Sequence, residues 1–308
     1  MAENSGQRGG QHFGDRLAAA VQATGAPLCV GLDPHLERLP KPLRARYEGL
    51  QGAARRVQAA LAVQDFDELV LCAVAGVAAA VKPQVAFYEA LGGPGVTALE
   101  RCCARARELG LLVVADAKRG DIASTAAAYA TALIEPQGPL GADAVTLSPW
   151  MGMDVIDPFL GACREHGRGL FVLVRTTNPG SALLQRHGQP EAALLVADAL
   201  HQLGAELVGQ SGTSSIGAVV GAFAADEARA LRARMPQAWF LVPGVGAQGG
   251  GVAQALAGRR ADGLGSLVVS ARGILYPPAG QQDADPADAI HTRARALAAD
   301  LAQELGRS

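Results

Sequence analysis

The chain has 308 residues, 49% of them hydrophobic and 4% aromatic, with a formal net charge of -2. That length buries a full core and fits one large α/β domain or two small ones. The near-neutral balance offers no basic surface of the kind nucleic acid needs, and no apolar run approaches the ~20 residues of a membrane span.

Residues 1–11 are rich in Gly and Gln and lack an apolar core, so they are expected to form a disordered tail rather than a signal peptide, with residues 12–308 as the folded part. Eight short apolar runs follow, each predicted as a strand: Leu28–Leu32, Gly76–Val81, Leu111–Ala115, Ala142–Leu147, Leu170–Val174, Ile216–Val220, Ala238–Val242 and Ser266–Ser270. Ala-rich segments of helical period lie between them. Val96–Leu109 is the clearest, because Val96, Leu99, Cys103, Ala106 and Leu109 recur at helical spacing and Gly110 follows as a stop. Lys41–Gln64 reads as an excursion after the first strand plus part of a helix. Asp288–Leu305 reads as a last helix packed on the exterior.

Strand–helix alternation implies a parallel sheet with right-handed crossovers, and eight repeats in ~250 residues is the size of a closed (β/α)8 TIM barrel. The alternative is an open doubly wound sheet. Its dinucleotide-binding form is disfavoured, since no Gly-x-Gly-x-x-Gly follows the first strand. Five cysteines without Cys-x-x-Cys spacing argue against a disulfide framework or a zinc site; they read as small buried thiols in a reducing cytoplasm.

Functional groups of such barrels stand at the C-terminal ends of the strands. Strand one ends in Asp33 and strand two in Lys82. Strand three ends in Asp116-Ala-Lys118-Arg-Gly-Asp121, and strand five in Arg175-Thr-Thr-Asn-Pro-Gly. Residues two apart on a strand share a side, so Asp116 and Lys118 are expected to face the mouth together and to join Asp33 and Lys82 in an alternating charge network. A structural ion-pair network is the plain alternative. The glycines from Gly244 to Gly251, with Gln248 and with Arg272 one strand later, read as a phosphate site. His35, Trp150 and Met151 read as loop or packing residues. Arg119 is expected in solvent or at a subunit contact, and Tyr88 and Glu89 could stand at an interface.

Asp33, Lys82, Asp116-Ala-Lys118-Arg-Gly-Asp121-Ile122, Pro243-Gly-Val-Gly and Arg272-Gly stand in an order that resembles the orotidine 5'-phosphate decarboxylases, from about Phe13 to Tyr276. Val81-Lys-Pro-Gln-Val-Ala-Phe-Tyr-Glu and Arg175-Thr-Thr-Asn-Pro-Gly are similar to the longer bacterial branch. The resemblance implies a cofactor-free cytoplasmic decarboxylase, active on orotidine 5'-monophosphate as a homodimer. It implies that Asp33 binds ribose hydroxyls, that Lys82 bridges ribose and charge network, that Asp116 lies beside the substrate carboxylate, and that Lys118 protonates C6. Asp121 and Thr125 would serve the partner's site, and Gln248 and Arg272 would grip the 5'-phosphate. Thr177 stands where relatives usually carry a serine against the pyrimidine. Two rivals remain on the residues: a Mg2+-dependent sugar-phosphate enzyme of the same scaffold, disfavoured because Lys82 stands where those relatives carry a carboxylate, and a catalytically idle nucleotide-binding barrel.

Overall fold

The computed structural model describes residues 12–222, 225–245, 251–278, 280–281 and 283–307. Among them, eight parallel strands close into a barrel in chain order: β1 Leu28–Leu32, β2 Ala80–Pro83, β3 Leu112–Arg119, β4 Ala144–Leu147, β5 Gly169–Arg175, β6 Ile216–Val220, β7 Phe240–Pro243 and β8 Ser266–Ser270. Closure is made by β1 on β8, with Leu28 opposite Val268 and Val30 opposite Ser270. Helices follow the strands and cover the outside. The expected (β/α)8 barrel is therefore present, and the open sheet is excluded.

Alternation along the strands divides the apolar residues into two cores. Leu28, Val30, Leu32, Val113 and Val145 belong to the core beneath the helices. Cys29, Ala80, Val114, Phe171, Trp239 and Leu267 belong to a second core with the N-terminal helix Phe13–Thr24, through Phe13, Leu17 and Val21. The Phe13 ring meets Phe171 edge-on at 5.9 Å. Gly169, the first residue of β5, permits this: a Cβ there would lie 2.2 Å from the Phe13 ring. The N-terminal helix thus plugs the barrel at the strand starts, which leaves the opposite, C-terminal ends to form a site.

Several expected boundaries move. The second strand begins at Ala80, not Gly76: Gly76 has φ +75°, and the amides of Val77 and Ala78 both donate back to Val74 O, so residues 76–78 close the preceding helix. The third strand runs on to Arg119. The seventh begins at Phe240, because Ala238 N turns back to Met235 O. The helix expected over Val96–Leu109 spans Gly93–Glu108 and starts one turn earlier, with Pro94 in its first turn. The excursion after β1 resolves into a turn of helix at Lys41–Arg44 and a long helix, Gly52–Val74. The last helix spans Pro286–Glu304, is capped by the Asp285 carboxylate, and packs on the exterior, where His291 Nδ1 lies 2.8 Å from Ala73 O. Four cysteines are buried. Cys72 is exposed, against expectation, because it falls on the solvent side of the helix Gly52–Val74. The expected tail, residues 1–11, lies outside the described residues. No helix among the described residues is long and apolar enough to cross a membrane.

Candidate active site

Lys82 and Asp116 lie towards the C-terminal ends of β2 and β3, each 6% exposed. Lys82 Nζ stands 2.6 Å from Asp116 Oδ2, and Gln84 Nε2 donates to the same oxygen at 2.8 Å. Asp116 Oδ1 receives Lys118 Nζ at 2.5 Å and Thr146 Oγ1 at 2.9 Å. Four donors on one buried carboxylate meet the requirement that a charge out of water be paired and hydrogen-bonded. Burial alone would raise the Asp116 carboxyl, but Lys82 and then Lys118 outweigh it and hold the group well below the usual carboxylate range. Burial likewise opposes the Lys82 ammonium, yet Asp116 and Asp33 turn the balance and raise it.

Lys118 reaches Asp116 by a route that strand alternation does not describe. Its φ is +46°, and the pairing of β3 with β4 slips from Ala115↔Val145 to Arg119↔Leu147, so the strand bulges there. The bulge is held by Thr146 of β4, whose hydroxyl accepts from Lys118 N at 2.9 Å while donating to Asp116. It is also held by Ser148 N on Arg119 O at 2.7 Å. At Gly120 a Cβ would fall 2.3 Å from Ser148 O. The Lys118 side chain is 44% exposed and faces the mouth, against 7% for Asp116.

The other expected residues are placed less tightly. Asp33 follows β1; its Oδ1 is buried without a hydrogen-bond partner among the described residues, and no cation among them pairs with it, so it does not join the cluster directly. An orphaned buried acceptor beside a charged mouth is what a ligand hydroxyl would satisfy. The backbone oxygen of Asp33 accepts from Tyr276 Oη at 2.9 Å, and that hydroxyl also accepts from His35 N at 2.8 Å. Asp121 accepts from Ile122 N at 2.8 Å and, with exposed Thr125 on the helix Ala123–Leu133, does not meet Lys118 within the chain. Thr177 is exposed in the segment after β5. That segment is anchored by Arg175, which donates to Glu227 Oε1 at 2.7 Å and to Ser181 Oγ at 3.0 Å. Arg272 opens the short helix Arg272–Leu275 after β8; it is exposed, and its side chain makes no hydrogen bond or ion pair among the described residues. Gln248 and the glycines at 246, 249 and 250 lie outside the described residues. Trp150 and Met151 are 72% and 56% exposed, so they do not pack within the chain.

Gln84 and Thr146 were not singled out from the sequence. Gln84 stands in the Lys82-Pro-Gln run, and Thr146 is a hydroxyl inside an apolar strand, which signals a buried group in need of partners. The excursion after β1 walls a cleft of ≈ 700 Å³ lined by His35, Arg44, Tyr47, Arg55 and Phe87, and Lys82, Asp116 and Lys118 are not among its lining residues.

A closed parallel barrel with a Lys–Asp–Lys cluster at its C-terminal mouth defines a TIM-barrel enzyme of acid–base and electrostatic chemistry. Residues 26–287 match the orotidine 5'-phosphate decarboxylase / HUMPS family, and the chain belongs to it. The orotidine 5'-phosphate decarboxylase of Rhodopirellula baltica is 41% identical over 270 residues, covering 86% of this chain and 88% of the relative. That of Deinococcus radiodurans is 43% identical over 254 residues, covering 81% and 84%. The solved structure of Leishmania donovani OMP decarboxylase superposes with a TM-score of 0.73 at 33% identity, covering 97% of this chain and all of the other.

Proposed function

We infer that this chain decarboxylates orotidine 5'-monophosphate to uridine 5'-monophosphate, the last step of de novo UMP biosynthesis. The observation that carries this reading is the Lys118 ammonium, exposed at the mouth and held 2.5 Å from a buried Asp116 that Lys82 also grips. Breaking the C6–carboxylate bond leaves an electron pair on C6 with no neighbouring carbonyl in conjugation to take it up. Stabilisation then falls to preorganised charge. Lys118 sets its positive charge against the developing carbanion and gives its Nζ proton to C6 as CO2 departs, and solvent returns the proton to the amine. Asp116, beside the departing carboxylate, keeps the ammonium aimed. Lys82 spans ribose and carboxylate network, and the orphaned Asp33 oxygen accepts from the ribose hydroxyls.

The 5'-phosphate goes to Arg272 and Gln248, a guanidinium fork and an amide that both donate to phosphate oxygens. Binding at that non-reacting end supplies free energy for ordering the reacting end. Thr177 turns its hydroxyl to the pyrimidine. Asp121 and Thr125 serve the site of a second subunit, so the working form is a homodimer, and the compartment is the cytoplasm. The Mg2+-dependent sugar-phosphate chemistry of the wider family sits poorly here, because the Lys82 ammonium repels a divalent cation where that chemistry binds one.

The test is loss of orotidine 5'-monophosphate absorbance with EDTA present, for wild type and Lys118→Ala. Turnover by wild type alone supports the reaction and its proton donor. A well-folded wild type without turnover overturns the reading.

A further inference from the structure

A buried polar group away from the mouth is left without a role by this chemistry. Asp67, on the helix Gly52–Val74, is 2% exposed. Its Oδ2 accepts from Tyr88 Oη at 3.0 Å, and its Oδ1 is buried with no partner among the described residues. Tyr88 is fully buried, with Cys102 Sγ 4.0 Å from its hydroxyl. Desolvation pushes the Asp67 carboxyl up to about 8. A half-satisfied carboxyl in an apolar layer costs free energy that a leucine there would not.

The consequence of the contact lies at the two ends of the helix that carries Tyr88. That helix, Val85–Glu89, has five residues, too few to hold itself together without tertiary contacts. Its N-cap, Gln84, donates to Asp116 and bridges it through the backbone. Its last residue, Glu89, pairs with Arg119, whose guanidinium also lies 5.4 Å from the centre of the Tyr129 ring. Asp116 and Arg119 lie on either side of Lys118, at φ +46°, in the bulge between Ala115 and Arg119. A non-glycine residue in that region persists only where its surroundings over-determine it.

We propose that Asp67 and Tyr88 are positioning residues for Lys118: their hydrogen bond seats the helix Val85–Glu89, which then holds the bulge on either side of Lys118. The inference rests on the role of Lys118 proposed above. It accounts for a buried carboxyl at a depth where packing alone asks for an apolar side chain, and it makes the helix layer part of the machinery that aims the ammonium.

The experiment compares wild type, Tyr88→Phe, Asp67→Asn and Asp67→Leu in kcat for orotidine 5'-monophosphate, in Kd for uridine 5'-monophosphate, and in Tm. Losing one buried hydrogen bond that acts on the reacting group is expected to lower kcat roughly tenfold in Tyr88→Phe and Asp67→Leu, with product Kd changed less than about twofold. Asp67→Asn keeps an acceptor for Tyr88 and should retain most of kcat. In a background carrying both Gln84→Leu and Glu89→Ala, Tyr88→Phe should cost much less than in wild type, because both links from the helix to the bulge are already cut. A lowered Tm with unchanged kcat, or an equal cost in both backgrounds, would overturn the proposal and leave Tyr88 as packing. Should Tyr88→Phe not fold, Asp67→Leu against Asp67→Asn decides the same point, equal kcat counting against it. An inactive wild type would instead overturn the reaction proposed above, and this inference with it.

Discussion

Lys82 Nζ lies 2.6 Å from Asp116 Oδ2, with both side chains only 7% exposed. A pair this deep is costly to break from one side, because the remaining charge loses its compensation. Lys82→Met is expected to lose about 3 kcal/mol, the low end of the range for such a break, since Lys118, Gln84 and Thr146 stay on the carboxylate. Urea unfolding of the two proteins measures it. A loss near zero would mean that Asp116 does not depend on Lys82.

The same pair sets an acid limit. The folded-state carboxyl of Asp116 lies below its unfolded value, so its contribution is complete above the ordinary carboxyl range of about 4 and is lost as pH falls further. Stability of wild type should drop on acidification below about pH 4, and Asp116→Asn should lack that component of the slope. Parallel curves would count against the assignment.

Thr146→Val tests the bulge. Valine matches the shape of threonine but leaves Lys118 N without its acceptor and removes one of the two donors on Asp116 Oδ1, Lys118 Nζ being the other. The expected cost is about 1–3 kcal/mol in stability. A fall in kcat larger than any change in product affinity should accompany it, because the ammonium is then misaimed. Wild-type kcat in a stable Thr146→Val protein would remove Thr146 from the site.

Asp67 shows the opposite pH dependence. Its folded-state carboxyl is raised to about 8, so the folded chain keeps a proton that the unfolded chain releases near 4. That stabilisation is whole below about pH 4, declines as pH rises, and is fully lost above about 8. Asp67→Asn does not titrate, so its urea midpoint should gain on wild type between those limits and run parallel beyond them. A constant difference across the range would refute the raised carboxyl.

Arg272 stands exposed after β8, its side chain without a partner among the described residues. Arg272→Ala should leave Tm within about 1 °C, as surface changes usually do, and lower kcat/KM for the mononucleotide by one or more factors of about ten. An unchanged kcat/KM would take the phosphate away from this residue.

Asp121 does not meet Lys118 inside one chain. Mixing Lys118→Ala with Asp121→Ala subunits therefore separates shared from private sites. Recovery of activity in the mixture, with neither parent active, is the outcome expected of a homodimer whose sites draw on both subunits. No recovery in a demonstrated heterodimer would place Asp121 elsewhere.

The period-two alternation of the strands, the helical period of Gly93–Glu108, and the Asp116-x-Lys118-x-x-Asp121 spacing are local patterns, and they sufficed for eight strands, a barrel of the right size and the Lys82, Asp116 and Lys118 group. Boundaries failed where a turn hydrogen bond competes with apolar character, as at Gly76–Ala78 and at Ala238. Asp116 and Lys118 were expected to meet as neighbours on a flat strand. They do meet, but through a bulge at φ +46° that only the pairing of β3 with β4 imposes.

Composition and order of residues determined on their own that the chain would alternate eight parallel strands with helices and that its charged groups would gather at the strand ends. Tertiary structure alone decided that β1 closes on β8, that Phe13 blocks the strand starts, and that Gln84 and Thr146 complete the shell of Asp116. It also decided that Asp67 meets Tyr88. Each of these contacts joins residues at least twenty positions apart in the chain. Their geometry is set by strand register and helix packing, which no local period encodes.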